Sequence, residues 1–250
     1  MDFLSFAGQT HPGARRSLNE DSILVAAPVF VVADGVGGSS HGELASQLVA
    51  SSFAALAGRD DLTSDDVAAT LDRAHEEVLE AQRRGGFDCA STASGLVAIA
   101  MGDSAYWVAF NVGDSRVYRM TGQSRSLLQL SVDHSHVQEM VDAGVIDAAQ
   151  AVNHPDRNVV TRAVGSPDPF RPDYWLIPMV AGDRVMVCSD GLLTDSPYQQ
   201  VEQILHRTDN PTRAVEDLME LAMRSGARDN VSVIVVDVIR PPLDGRPGWR

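Results

Sequence analysis

Lysine is absent from this chain, so its 20 basic residues are all arginines, set against 34 acidic ones. Without lysine there is no P-loop, which needs one to reach the phosphates of a nucleotide. Any phosphate bound here has to be held by arginine or by cations that the acidic side chains recruit. The net charge of −14 argues against a general nucleic-acid binder, which needs clustered basic side chains. The short basic doublets are Arg15-Arg16 and Arg83-Arg84.

Cysteine is almost missing. Cys89 and Cys188 cannot build a disulfide framework or a thiolate cluster, and both read as core thiols. The seven histidines are dispersed with no zinc-type pair, and no Gly-x-Ser-x-Gly elbow supports a serine triad. Long apolar runs are lacking too. None approaches the roughly 20 residues of a membrane span, and the start, Met1 to Gly8, has no basic residue ahead of an apolar stretch. The expectation is a soluble cytoplasmic protein with neither a membrane nor a nucleic acid as partner.

What is present is a set of short runs rich in Val, Ile and Ala, bounded by Gly, Asp and Asn. Ser22–Ala26, Val29–Ala33, Gly95–Ala100, Ala105–Val112, Arg116–Met120, Arg184–Ser189 and Val231–Val238 read as strands. Two pairs are separated by tight turns, which is the grammar of antiparallel hairpins. Helical stripes fall between them: Leu44, Leu48, Phe53 and Leu56; Val67, Leu71, Ala74 and Val78 after the capping-type Ser64; Val215, Leu218 and Ala222 within Thr212–Arg224. The stretch from about 134 to 169 reads as a partly helical flap at the sheet edge, and residues 240–250, with three prolines, as an extended or disordered tail. Residues 1–239 are then expected to form a single domain.

Acidic turns close several of the strand-like runs. Asn19-Glu20-Asp21, Ala33-Asp34-Gly35, Ser189-Asp190-Gly191 and Arg228-Asp229-Asn230 are spread over some 210 residues. An isolated Asp-Gly is usually a turn and nothing more. Repetition at strand ends points instead to carboxylates gathered round hard cations such as Mg²⁺ or Mn²⁺, with a glycine letting its carbonyl approach. Arg16, four residues before Glu20, offers a fork for phosphate oxygens.

In order and spacing these motifs resemble the metal-dependent serine/threonine phosphatases of the protein phosphatase 2C type, in their compact bacterial form. They run from Gly13-Ala14-Arg15-Arg16-Ser17-Leu18-Asn19-Glu20-Asp21 through Val32-Ala33-Asp34-Gly35-Val36-Gly37-Gly38 with Gly42-Glu43, and Asn111-Val112-Gly113-Asp114-Ser115-Arg116. They continue with Asp133-His134-Ser135, Asn158 to Gly165, Ser189-Asp190-Gly191-Leu192 and Arg228-Asp229-Asn230-Val231-Ser232. The resemblance implies an α+β fold, an αββα sandwich of two antiparallel β-sheets flanked by helices. It implies two Mn²⁺ or Mg²⁺ ions: Asp34 bridging them, the Gly35 carbonyl on one, Asp190 and Asp229 on the other, with Glu20 and Asp21 acting through water. Asp114 with Asp190 would hold a third, weaker ion.

Arg16 would bind phosphate, and a hydroxide shared by two ions would attack phosphoserine or phosphothreonine directly. Val36 stands where some members carry histidine, which leaves the proton donor to a water or to His41. His11, Ala90 and the Ser39-Ser40-His41 stretch also depart from the common pattern without removing a ligand. The implied partners are phosphorylated proteins, including a bacterial-type Ser/Thr kinase or its targets. The alternatives are a non-catalytic phosphoprotein-binding module of the same fold and a phosphatase of anti-sigma-factor antagonists.

Overall fold

The run Val29–Ala33 has no polar face. Val29, Val31 and Ala33 belong to one apolar core, Phe30 and Val32 to another, and all five are fully buried. Side chains of a strand alternate between its two faces, so such a run must be covered on both. The same alternation recurs in Val231–Val238, where Val231, Val233 and Val235 enter one core and Ile234, Val236 and Val238 another.

The computed structural model describes residues 3–36, 41–124, 126–167 and 170–241. Gly37, Gly38, Ser39 and Ser40, the last residues of the expected flap at 168 and 169, and the tail from 242 onward lie outside the described residues. The first half of the chain contains β1 (Leu4–His11), β2 (Ser22–Ala26), β3 (Val29–Ala33), β4 (Gly35–Val36), α1 (Gly42–Ala54), α2 (Ser64–Gly85), β5 (Ala90–Ser91), β6 (Ala93–Met101) and β7 (Ser104–Val112). β8 (Arg116–Met120), β9 (Leu127–Gln129), α3 (His136–Asp142), α4 (Ala148–Val152) and β10 (Asp173–Pro178) follow. The chain then forms β11 (Arg184–Cys188), α5 (Gly191–Asp195), α6 (Tyr198–Arg207), α7 (Pro211–Ser225) and β12 (Val231–Val238).

Two five-stranded antiparallel sheets result, ordered β1-β12-β11-β8-β9 and β10-β7-β6-β3-β2, with β4 and β5 as a small separate pair. Their facing sides enclose the central core of Phe30, Val32, Leu96, Trp107, Val117, Val187 and Ile234. α1 and α2 cover the outer face of the second sheet through Val49, Phe53, Val67 and Leu71, while α6 and α7 cover the first through Val201, Leu205, Val215 and Leu218. This is the expected αββα sandwich, and it accounts for the near-absence of polar residues within the central strands.

Two local signals need correction. The stripe expected as Leu44, Leu48, Phe53 and Leu56 is rotated: α1 ends at Ala54 and buries Ala45, Val49 and Phe53, with Leu44 and Leu48 only partly buried, because the small Ala45 and the branched Val49 pack closest to the sheet. Helix α2 is capped by Thr63, not Ser64: Thr63 is extended, its Oγ1 accepts the Asp66 N–H at 3.3 Å, and the Asp66 carboxylate accepts the Thr63 N–H at 2.9 Å. That reciprocal pair satisfies two otherwise unpaired amides. Both cysteines are buried, as expected of core thiols. The region expected to be a flap contains α3 and α4, each started by a side-chain cap, Ser135 and Asp147. Among the described residues no helix is long and apolar enough to cross a membrane.

Candidate metal centre

Strand register carries the acidic turns to one end of the sandwich. In the first sheet Cys188 lies opposite both Val233 and Arg116. Asp190 just after β11, Asp229 just before β12 and Asp114 just before β8 therefore leave the sheet at the same end. In the second sheet Ser22 lies opposite Ala33, so Asp21 before β2 and Asp34 after β3 also leave together. A hydrogen bond from Ser189 Oγ to Asp21 Oδ2, 2.8 Å, ties the two sheets at that end.

Crowding shows in the acidity of these groups. Asp34 is pushed well above the usual carboxylate range, first by burial and then by repulsion from Asp21, Asp190, Asp114 and Asp229. Burial raises Asp21 to about 6 against the hydrogen bonds it accepts from Ser232 and Ser189, with Asp190 adding repulsion. Asp190 rises to about 6 through burial and then Asp229, and Asp114 to about 8 through burial, Asp190 and Asp133. Each shift favours the protonated acid because the charged form is poorly solvated and surrounded by like charge.

The backbone round these acids is held by neutral polar side chains. Thr92 Oγ1 accepts the Asp34 N–H at 2.9 Å, and the Asp34 carbonyl accepts Thr92 N–H at 2.8 Å and Ser91 Oγ at 3.0 Å. Thr92 in turn meets Ser115 Oγ at 2.8 Å, next to Asp114. Asn230 accepts the Glu20 N–H at 2.8 Å and donates to the carbonyls of Pro12 and Leu18 at 3.0 and 2.9 Å. Buried His134 accepts the Gly113 N–H on Nδ1 at 3.2 Å, and its Nε2 lies 3.1 Å from Asp173 Oδ2. Gly35 is packed so closely on Gly42 that a Cβ there would sit 2.6 Å from the Gly42 carbonyl oxygen. Glycine at both positions lets the start of α1 approach the Asp34 turn.

Arg16, the expected phosphate ligand, donates from Nη2 to Asp229 Oδ2 at 2.8 Å. Glu20 lies beside Gly42, its Oε1 2.8 Å from where a Cβ on that glycine would be. His41 immediately precedes α1, and its ring is stacked on Phe87 with centroids 3.8 Å apart. The structure therefore gathers Asp21, Asp34, Asp114, Asp190 and Asp229 into one electrostatic neighbourhood, with Arg16 and Glu20 at its border.

Whether divalent cations suit this place can be judged from its atoms. Among the described residues no three His, Cys, Asp or Glu side chains already close into a finished metal-binding cluster. The donor set is nonetheless all oxygen, and Asp21 Oδ1 is buried without any hydrogen-bond partner. A buried carboxylate oxygen left bare is costly, and an ion or its water would satisfy it. The residues fit hard cations of the Mg²⁺ or Mn²⁺ kind.

Sequence reasoning overlooked the supporting roles of Thr92, Ser189, Asn230 and Ser232. A signal existed: Ser189 and Ser232 are hydroxyls in otherwise apolar runs, and both reach Asp21.

Residues 8–225 match the family described as protein phosphatase 2C. The serine/threonine protein phosphatase PstP of Mycobacterium tuberculosis is 35% identical over 242 residues, covering 94% of this chain and 45% of its own length. This chain thus spans about half the length of that relative. The serine/threonine phosphatase stp of Listeria monocytogenes is 32% identical over 216 residues, 84% of each chain. A crystal structure of the M. tuberculosis PstP superposes with a TM-score of 0.87 at 29% identity, covering 95% of this chain and 99% of that one. The catalytic domain of PstP in complex with two manganese ions gives 0.81 at 30% identity, covering the same shares. With its sandwich, its acidic end and a family match across most of its length, the chain belongs to the protein phosphatase 2C family.

Proposed function

We propose that this chain is a divalent-metal-dependent protein phosphatase that hydrolyses phosphoserine and phosphothreonine, acting in the cytoplasm on proteins phosphorylated by a Ser/Thr kinase. The reading is carried by one observation: five carboxylates from separate parts of the sequence share one field, in which Asp34 is repelled by the other four. Such an arrangement is costly unless cations occupy it. The names of the relatives and the manganese complex of PstP support it further. A non-catalytic module would be favoured by loss of one of these acids, and each is present.

Asp34, the Gly35 carbonyl, Asp190 and Asp229 would hold two ions, Glu20 and Asp21 would reach them through water, and Asp114 with Asp190 would hold a third. When bound, the ions supply positive charge for the phosphoryl oxygens and lower the pKa of water enough to make a nucleophile near neutral pH. Arg16 is the chain's own contribution to the phosphate. Its guanidinium is half exposed on the border of the cluster, so it can turn from Asp229 to a phosphoryl oxygen. The network through Thr92 and Ser115 keeps Asp34 and Asp114 fixed relative to each other, so little reorganisation accompanies the reaction. His41, six residues after Gly35, would have to leave Phe87 to return a proton to the leaving oxygen.

Purified protein with Mn²⁺ should release phosphate from p-nitrophenyl phosphate and from a phosphothreonine peptide, and Asp190→Ala should abolish both. Turnover that persists in excess chelator would falsify the reading.

A further inference from the structure

Beside the acidic end lies a cavity of about 500 Å³ enclosed by α3, α4 and α5. Asp114 and Asp190 form part of its lining, so it is continuous with the candidate metal centre and not a separate hollow. Aliphatic side chains form a large part of its lining, Val137 and Val141 from α3, Ala148, Ala151 and Val152 from α4, and Leu193 from α5, interspersed with the polar Ser135, Gln138, Asn158 and Thr194. Val152 stands at the mouth with 68% of its surface exposed.

Two further features say what kind of ligand suits it. Ser196 lines the cavity, and its Oγ is buried with no hydrogen-bond partner. A buried hydroxyl without a partner is unusual, and it can both donate to and accept from a peptide group. The charges in the floor are already matched in part, because Arg116 is gripped by Asp133 through Nε at 2.9 Å and Nη2 at 2.6 Å. With Arg157 at the exposed rim, the lining holds three acids, Asp114, Asp133 and Asp190, against two arginines. Cations on Asp114 and Asp190 would reverse that balance, so charge does not choose the occupant; the aliphatic residues do, by offering a surface to an apolar side chain.

We propose that this cavity seats the residues flanking the phosphorylated position of a protein substrate and selects an aliphatic side chain among them. The inference rests on the phosphatase reading, and its occupant follows from continuity. An extended segment advances about 3.3 Å per residue, so a neighbour one to three positions from a phosphoresidue held at the acidic centre reaches a cavity that shares two side chains with it. Ser196 Oγ, buried in the wall, meets that segment's backbone only by turning about χ1 into the cavity, and the mouth at Val152 is covered when the segment is in place.

The test uses the full chain with Mg²⁺ and two phosphonate analogues of a phosphothreonine peptide, one with valine and one with asparagine at the flanking positions. The valine analogue should bind at least about tenfold more tightly, the scale on which apolar pockets discriminate, and should shift the methyl resonances of Val137, Val141 and Val152. In Ala151→Trp, which fills the cavity, the two analogues should bind alike. Val152→Trp at the exposed mouth serves the same purpose if the first variant does not fold. Equal binding of the two analogues to the native chain, or discrimination that survives both fillings, overturns the inference. Hydrolysis of p-nitrophenyl phosphate, measured in parallel, separates the two claims: its absence alongside intact discrimination overturns catalysis alone.

Discussion

Arg16 and Asp229 are 213 residues apart in sequence, yet Nη2 of the first lies 2.8 Å from Oδ2 of the second. The side chain proposed to bind phosphate thus occupies a carboxylate proposed to bind a cation. Two cations cannot share that oxygen without cost, so metal loading and release of the arginine should be linked, and linkage of binding is reciprocal. An exposed ion pair contributes only about 0.2–1 kcal/mol. Arg16→Ala should therefore raise Mn²⁺ affinity by up to about fivefold in the absence of phosphate, while weakening inhibition by inorganic phosphate. Arg15→Ala removes the same charge from the neighbouring position and controls for long-range repulsion. Calorimetric titration in which both variants, or neither, tighten Mn²⁺ binding would sink the linkage.

The crowded acids make a statement about pH. Asp21 and Asp190 titrate at about 6 and Asp114 at about 8 in the folded chain, above their ordinary value, because burial penalises their charge. A raised acid binds its proton more tightly when folded, so its stabilising contribution is complete below the unfolded value of about 4 and is lost as pH climbs through the folded one. Metal-free protein should lose stability from these groups between about pH 4 and about pH 8. Mn²⁺, which replaces protons at the same oxygens, should restore more at the upper end. Each kcal/mol moves the Tm of a chain this size by about 2–4 °C, so the Mn²⁺-induced rise should be larger by several degrees at about pH 8 than at about pH 5. Asp114→Asn should flatten the upper part of the metal-free curve. A Mn²⁺-induced shift independent of pH would contradict the account.

Much of this centre was legible because strand ends are marked in sequence. Asp34 and Asp190 each follow an apolar run and precede glycine, and Asp229 directly precedes Val231–Val238. The core strands were equally plain, since burial on both faces leaves them without polar interruptions. β1 and β10 were not read, and both lie at sheet edges, where Gln9, Thr10, Asp173 and Tyr174 blur the apolar pattern. Asn230 was read only as part of a turn. Its role depends on Pro12, Leu18 and Glu20, which local spacing cannot bring near. The pairing of Arg16 with Asp229 was hidden for the same reason: each was assigned to a ligand, and their contact depends on register between β12 and its neighbours.

Gly35 offers a steric test. Its backbone is not in the left-handed region, so alanine would be tolerated locally. The obstacle is the neighbour: a Cβ would lie 2.5 to 2.7 Å from the carbonyl carbon, oxygen and Cα of Gly42. Backbone cannot swing aside as a side chain can, so α1 would have to retreat. Overpacking of this kind costs about 1–3 kcal/mol. Gly35→Ala should lower the urea midpoint accordingly and weaken Mn²⁺ binding, because Asp34 and the Gly35 carbonyl move with the strand end. Native stability with native Mn²⁺ affinity would mean that the contact between these turns is softer than its distances imply.

Asn230 provides the last test, because it holds the acidic segment to β12 without bearing charge. Its carboxamide accepts from the Glu20 amide and donates to the carbonyls of Pro12 and Leu18, so three backbone groups on the loop leading to β2 depend on it. The residue is buried, and water cannot readily replace it. Asn230→Ala leaves those groups unpaired, at about 1–3 kcal/mol for the first and less for each one that relaxes, so a total near 2–4 kcal/mol is expected. Asn230→Asp keeps the acceptor for Glu20, loses both donors and adds a negative charge beside Asp229. Without metal it should be at least as unstable as the alanine variant, and Mn²⁺ should rescue it more, since a cation offsets the added charge but cannot restore the missing donors. Urea unfolding of the two variants with and without Mn²⁺ separates these effects. If Asn230→Ala unfolds like the native chain, the loop is held by something other than this amide.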